Sequence, residues 1–337
     1  MDWSIDTDGG GVDAIRKTPV SGSLCWTGAS FDIEACTTIL EPAQADALHA
    51  LYADGPDRGV DPGAEALSRH LAAWIVDLCE RRSGFARLRA LGVAERGETW
   101  AKAILAGLCA QMGDVVSQNR AGDRIVEVSD YLKGGMGGGN VRGYATNAAL
   151  QLHSDSSDIT GLLCTSVALE GGRARIASAH TIYNTLLAHH LEYMALYHVG
   201  VFYDSRGEER DGAPPAYRNP IFHHGPGGLS CRYFLSDYIE PGYRKLGLSL
   251  DPHERAALDA FEAAANADAN VVTFDFEAGD IVFYGNNNIL HGRTAFLDAP
   301  ADVEAKRVLH RVWLNPRPAR RLPANFAHYR WGYQAPP

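Results

Sequence analysis

Apolar residues recur at helical spacing over the first third of the chain. Pro42 to Ala53 (PAQADALHALYA) carries them on one face. Glu65 to Arg82 (EALSRHLAAWIVDLCERR) sets Leu67, Leu71, Trp74, Ile75 and Leu78 close to a helical period, the pattern of an amphipathic helix. Thr99 to Val116 reads as a further helix. After residue 140 the pattern shortens. Ile159 to Leu169 is an apolar, strand-like run, Gly171-Gly172 marks a turn, and Arg173 to Ala177 reads as a returning strand. Thr181 to Tyr197 reads as helix, Tyr203 to Pro220 as a polar loop rich in Gly and Pro, and Glu254 to Ala267 as a strong helix. Four strand-like stretches close the chain: Val271 to Phe276, Asp280 to Tyr284, Asn288 to Thr294 and Arg307 to Leu314. Short strands set between turns, with helices outside them, predict a mainly β fold with α additions, a sandwich or jelly roll flanked by helices. No repeat and no linker splits the chain. The reading is one domain over 1–337: a mainly helical part over 1–125, a jelly-roll core over 126–316 with a helical and loop insert near 181–267, and a tail over 317–337.

The 337 residues are enough to bury a core without staples. A net charge of −10 argues against the broad basic surface that nucleic acid requires, and leaves room for a local basic pocket. Cys25, Cys36, Cys79, Cys109, Cys164 and Cys231 are scattered, with no CxxC pair. They read as free thiols of a reducing compartment rather than as a disulfide frame or a zinc-thiolate site. The acidic start MDWSIDTDGGGVDAIRK lacks the apolar run of a signal peptide, and no window approaches the ~20 apolar residues of a membrane span. The expectation is a cytoplasmic protein that meets no membrane. Gly134 to Gly139 (GGMGGG) lacks the Lys-Ser/Thr of a phosphate loop and reads as a loop beside an active site.

The candidate chemistry lies in His153-Ser154-Asp155 and in His291, far downstream. An H-x-D pair on an extended segment turns both side chains to one face, because strand side chains alternate. A second imidazole from a distant strand completes a set of two histidines and one carboxylate. That set covers one face of an octahedron and leaves positions open for a chelating co-substrate and O2, the arrangement that suits Fe(II). H-x-D alone is common. The context adds weight: His291 follows a strand, turn and strand in AGDIVFYGNNNILHGRTAF, and sixteen residues later comes KRVLHRVWL. Period two puts Arg307 and Arg311 on one face of that strand, either outward in solvent or inward, where two guanidiniums need anions such as a bidentate carboxylate.

Here the chain resembles the TauD/TfdA family of 2-oxoglutarate-dependent dioxygenases, over roughly Gly143 to Leu314. The resemblance rests on GYATNAALQLHSD, the turn LEGGRARIAS, FEAGDIVFYGNNNILHGRTAF and KRVLHRVWL, in that order. It implies a double-stranded β-helix (jelly roll) and Fe(II) held by His153, Asp155 and His291. It implies that Arg307 holds the distal carboxylate of the co-substrate 2-oxoglutarate, with Arg311 sharing that carboxylate or lying nearer the substrate. The family often places a Thr or Ser just after the Gly-Gly turn on the same carboxylate; this sequence has Ala174 there, between Arg173 and Arg175. The implied reaction consumes O2, converts 2-oxoglutarate to succinate and CO2, and hydroxylates a substrate C–H. The carboxylate of Asp155 speaks against halogenation; desaturation and ring closure stay open.

Around the motif, Asn147 and Arg142 are candidates to face the substrate, with Asn147 preferred and a turn role as the alternative. Asn286, Asn287 and Asn288 read as the turn before His291, one amide being able to orient a ligand. His310 falls on the face opposite Arg307. The pairs His189-His190 and His223-His224 read as solvent or core histidines, Asp158 as a cap or solvent residue, and Asp280 as a turn residue. Arg311, Arg142 and Asn147 suit a small polar metabolite, an amino acid or another carboxylate, free or tethered to a carrier. Many enzymes of this kind self-associate, so a homo-oligomer is compatible. A second reading, a jelly-roll metalloprotein with hydrolase or isomerase activity, keeps the three metal ligands but has no use for Arg307. A non-catalytic binding module explains neither.

Overall fold

A buried strand needs a partner on each edge, and the apolar run at Ile159 has two. The computed structural model describes residues 17–53, 61–130, 146–209, 212–299, 306–326 and 328–333. Seven of its strands form the larger sheet: β1 (Thr37–Ile39), β2 (Phe85–Arg89), β3 (Gly113–Val116), β4 (Ile125–Val128), β6 (Ile159–Ser166), β14 (Ile281–Gly285) and β17 (Val308–Pro316). Their order is β1-β2-β14-β6-β17-β3, with β4 also beside β17. β6 is antiparallel to β14 on one edge and to β17 on the other, so its backbone donors and acceptors are paired on both sides. The smaller sheet has the order β13-β8-β15-β5, from β5 (Leu150–His153), β8 (Ala174–Ser178), β13 (Val271–Phe274) and β15 (Ile289–Arg293). Three short antiparallel pairs lie outside these sheets: β7 (Glu170–Gly171) with β16 (Phe296–Leu297), β9 (Val201–Asp204) with β10 (Ala216–Asn219), and β11 (Phe222–Gly225) with β12 (Gly228–Cys231).

The inner faces of the two sheets meet. Phe85 and Tyr284 of the larger sheet share one apolar core with Ile176 and Ile289 of the smaller, and Phe85 packs edge-on against Phe274. Alternation sends Ala177 and Leu290 the other way, into a second core with Leu186 and Phe261. This second core is covered by α5 (Ala179–His189), α6 (Met194–Val199), α7 (Ile239–Lys245) and α8 (Pro252–Asn266). The result is the predicted jelly-roll core flanked by helices, with two facing sheets rather than a closed barrel. On the larger sheet, α1 (Pro42–Ala53), α2 (Pro62–Asp77) and α4 (Glu98–Met112) pack together, and α4, preceded by the single turn α3 (Val93–Arg96), lies on β17 and β6. At the α1–α4 crossing a Cβ on Gly107 would lie 2.1 Å from Tyr52 Cγ, so only glycine fits.

Local chemistry sets the ends of these elements. Asp61 caps α2 with Pro62 behind it, Ser178 caps α5, and Asp251 and Glu254 form a capping box on α8. Four expectations change. The helix expected over 99–116 stops at Met112, because Gly113 lies against the Asn315 carbonyl and starts β3. The helix expected to run to Arg82 passes into a π-helical turn over Leu78–Arg82. The one expected over 181–197 breaks after His189, a 3-10 turn over Leu191–Tyr193 leading into α6. The segment 203–220, read as loop, contributes strand residues at both ends through β9 and β10. Gly134–Gly139, Arg142 and Tyr144 lie outside the described residues. No described helix is long and apolar enough to cross a membrane. All six cysteines are unpaired, and only Cys25 is not buried.

Candidate active site

Strands β5 and β15 run antiparallel, and their register sets His153 directly opposite His291. The register shifts just after His291, and Gly292 permits it: a Cβ there would lie 2.6 Å from the Leu150 carbonyl oxygen. The two imidazoles face each other with centroids 4.6 Å apart. Asp155, two residues beyond β5, turns to the same point. His291 Nε2 lies 3.5 Å from Oδ2 and His153 Nε2 lies 4.0 Å from Oδ1. One potential ligand atom from each residue lies within 4.8 Å of the others, and all three residues are buried. The sequence-predicted trio is brought together.

Each of the three is held from behind. His153 Nδ1 sits 2.8 Å from the Gln151 carbonyl, so Nδ1 carries the proton and Nε2 keeps its lone pair for the cluster. Thr160 donates to Asp155 Oδ2 at 2.8 Å and receives in turn from Asn286 Nδ2 at 3.0 Å. Asn286 Oδ1 accepts from the Asp155 amide at 3.1 Å. His291 stacks on Tyr284, with centroids 4.6 Å apart. The asparagine run is thus a turn that also orients a ligand. Asn287 instead donates to Asp158, and Asn288 to the Cys79 carbonyl. Burial, then the His291 ring, pushes His153 down to about 4 against the pull of Asp155. Burial would raise the Asp155 carboxyl, but Arg311 and the two imidazoles outweigh it and hold it well below its usual range. Two imidazoles and one carboxylate converge here, His153 and Asp155 backed by hydrogen bonds and His291 by the Tyr284 ring, a donor set that fits Fe(II) on one face.

Two cavities meet at this cluster. The smaller, about 480 Å³, is lined by the three residues together with Ala174, Arg307 and Arg311. Arg307 is buried, and its Nη1 has no hydrogen-bond partner among the described residues. Burial pulls its pKa down. A buried guanidinium left in this state calls for an anion in the cavity. Ala174 faces the same space with only a methyl group. Arg311 is buried on the same face, as period two predicts. Its Nε donates to Gln118 Oε1 at 2.7 Å and its Nη1 to Asp155 Oδ1 at 3.3 Å.

The larger cavity, about 700 Å³ and open to solvent, shares Leu150, His153, Asp155 and Arg311 with the smaller. Its walls include Tyr217, Phe234, Tyr238 and Trp313, and Tyr329 and Tyr333 of the C-terminal segment. Trp313 lies on the predicted strand of Arg307 and Arg311, but sequence reasoning missed the rest of this wall, which comes from the loop over 203–220, the insert and the tail. It also missed Arg293, whose signal was its place two residues after His291. Arg293 lines the smaller cavity and donates to the Thr146 and Ala148 carbonyls. Burial, with Arg307 adding, lowers its pKa to about 9.

Asn147 lines neither cavity; it is half-buried, and its carbonyl accepts from the Phe296 amide at 3.1 Å. His310 turns away, 3.2 Å from Glu98. Asp158 is neither cap nor solvent residue: it is fully buried between Arg232 and Arg330. Asp280 accepts from the Glu277 amide in the predicted turn and also pairs with Arg89.

A family model, "Taurine catabolism dioxygenase TauD, TfdA family", matches residues 44–313. FR-33289 synthase of Streptomyces rubellomurinus (strain ATCC 31215) is 39% identical over 333 residues, covering 95% of this chain and 97% of that protein. Among solved structures, an asparagine oxygenase in complex with Fe(II), 2S,3S-3-hydroxyasparagine and succinate superposes with a TM-score of 0.60 at 17% identity, covering 83% of this chain and 93% of that one. The non-heme iron oxygenase OrfP, in complex with Fe and alpha-ketoglutaric acid, gives 0.59 at 16% identity, covering 82% and 93%. The structural likenesses show a shared fold.

Proposed function

This chain belongs to the TauD/TfdA family and is an Fe(II)- and 2-oxoglutarate-dependent dioxygenase, and from that premise we propose that it hydroxylates an unactivated C–H of a small polar metabolite, an amino acid or a similar carboxylate. The observation that carries the reading is the division of space around His153, Asp155 and His291: a small cavity ending on the buried Arg307, and a larger one walled by aromatic rings. When bound, Fe(II) and 2-oxoglutarate supply the activation of O2, with release of succinate and CO2.

The protein's own residues then have separate tasks. His153, Asp155 and His291 hold the metal. Gln151 fixes the tautomer of His153, and the Asn286–Thr160 chain fixes the Asp155 carboxylate. Arg307 neutralises the distal carboxylate of 2-oxoglutarate, and Ala174 leaves that pairing without a hydroxyl from its side. Arg311, at the border of the two cavities, compensates Asp155 and faces whichever carboxylate reaches it. The aromatic wall gives the substrate's carbon skeleton an apolar surface beside the metal ligands. The asparagine oxygenase complex holds a hydroxylated amino acid, and an OrfP complex holds (3S)-hydroxy-L-Arg with succinate, which supports an amino-acid-like substrate here.

The test is an anaerobic titration of the purified protein with Fe(II) and 2-oxoglutarate. The visible charge-transfer band of the chelate is expected, absent in His291→Ala, and followed by substrate-stimulated succinate release. Metal binding without that band, in a folded protein, would overturn the assignment. An apolar, uncharged substrate would overturn the substrate class.

A further inference from the structure

The wall of the larger cavity includes a turn, Asp204-Ser205-Arg206, at the end of β9. Its three side chains differ in what they offer a ligand. The Asp204 carboxylate is buried and already used: Oδ1 accepts from Lys245 Nζ at 2.6 Å and from the Arg206 amide at 2.7 Å. The other acid of the cavity, Asp155, is matched by Arg311. Ser205 is 4% exposed, lines the cavity, and its Oγ has no hydrogen-bond partner among the described residues. A buried hydroxyl without a partner is costly unless a ligand or water atom meets it.

Arg206 adds the charge. Its φ is +57°, the left-handed region that non-glycine residues avoid, and the Asp204 side chain holds its amide in that turn. The guanidinium lies over Tyr238, Cζ 4.7 Å from the ring centroid, and Tyr238 lines the same cavity. Among the described residues three non-glycines have positive φ, and two of them, Arg206 and Tyr329, line this cavity.

We infer that Ser205 and Arg206 form an oxyanion subsite that anchors the acidic group of the substrate away from the metal ligands. The aromatic side chains that line the same cavity then hold the substrate's carbon skeleton, and the C–H to be attacked is set by its distance from the anchored acid. The inference rests on the oxygenase reading above and narrows it: the substrate carries an organic oxyanion, and this turn holds it.

The test uses inorganic sulfate as the probe, titrated calorimetrically into the full-length protein with 2-oxoglutarate at saturation so that Arg307 is occupied. Saturable binding is expected, weakened about tenfold or more in Arg206→Gln, the scale of one lost charge-assisted bond. Ser205→Ala should weaken it less, and Arg206→Lys should keep much of it. If Arg206→Gln does not fold, Ser205→Ala and Arg206→Lys carry the comparison. Absence of saturable sulfate binding to the wild type, or binding indifferent to both positions, overturns the subsite. The Fe(II)–2-oxoglutarate band is read separately without sulfate, so its failure sinks the oxygenase reading and not the sulfate result.

Discussion

Arg330 grips Asp158 with two nitrogens: Nε lies 2.9 Å from Oδ1, and Nη2 bonds Oδ2. Asp158 stands three residues after Asp155, and Arg330 follows Tyr329 in the C-terminal segment that walls the larger cavity. The pair therefore ties the metal-ligand loop to the far end of the chain. Arg232, fully buried, adds a third bond to the same carboxylate at 3.0 Å. Asn315 connects the two sides, accepting from the Asp158 amide and donating to the Arg330 carbonyl.

Asp158→Asn leaves two buried guanidiniums without their counter-charge. The expected cost is about 3–5 kcal/mol, the range for breaking a buried pair by removing one partner. Arg330→Met should cost less, since Asp158 keeps Arg232. The double variant should lose less than the sum of the two, because the groups share one network. Urea denaturation at neutral pH reads all three. A loss below about 0.5 kcal/mol for Asp158→Asn, the size of an ordinary surface substitution, would mean that the network does not hold the segment.

Arg307→Ala should raise the 2-oxoglutarate concentration needed for half-maximal succinate release about ten- to a hundredfold, the loss of one or two hydrogen bonds to a charged group. The fold should survive, since the lost Nη1 has no protein partner to strand. Lysine restores charge but not the fork, so Arg307→Lys should fall between the two. Unchanged 2-oxoglutarate dependence in Arg307→Ala would move the carboxylate to Arg311.

Thr160→Val keeps the shape of β6 and removes the hydroxyl between Asn286 and Asp155. Outer hydrogen bonds of this kind are worth about ten- to a hundredfold in metal affinity. The expected result is weaker Fe(II) binding in an anaerobic titration, with unchanged circular dichroism and rescue by Thr160→Ser. Equal affinity in the valine variant would show that the carboxylate is held well enough by Arg311.

Much of this site was legible in the sequence because its parts are periodic or contiguous. H-x-D, the strand into His291, and the alternation of Arg307 and Arg311 each depend on spacing of two, which a chain displays directly. The larger cavity was not legible, because its wall is assembled from β9 and β10, from Phe234 to Tyr238, and from Tyr329 and Tyr333, none of which shows a pattern by itself. Asp158 was misread for the same reason. A carboxylate among serines looks solvent-facing until Arg232 and Arg330, each more than seventy residues away, arrive beside it. Gly113 ended a helix that apolar periodicity alone extended to Val116, since the Asn315 carbonyl and not local propensity fixes that position.

His180 provides a pH signature that is independent of the metal ligands. It lies in the first turn of α5, buried, with Nε2 3.3 Å from Asn288 Oδ1. Burial pushes its pKa down to about 4, below the ~6.5 of an unfolded histidine. The folded chain therefore keeps the ring neutral where the unfolded chain binds a proton. Between the two values the unfolded state holds more protons, so stability is full above about pH 6.5 and declines as pH falls towards 4. The span corresponds to about 3 kcal/mol at most. His180→Gln removes the titration, so the variant's stability should vary less than that of wild type across this window. Urea midpoints measured at several pH values in the metal-free protein make the comparison. Parallel curves for the two proteins would mean that the imidazole is solvated and titrates alike in both states.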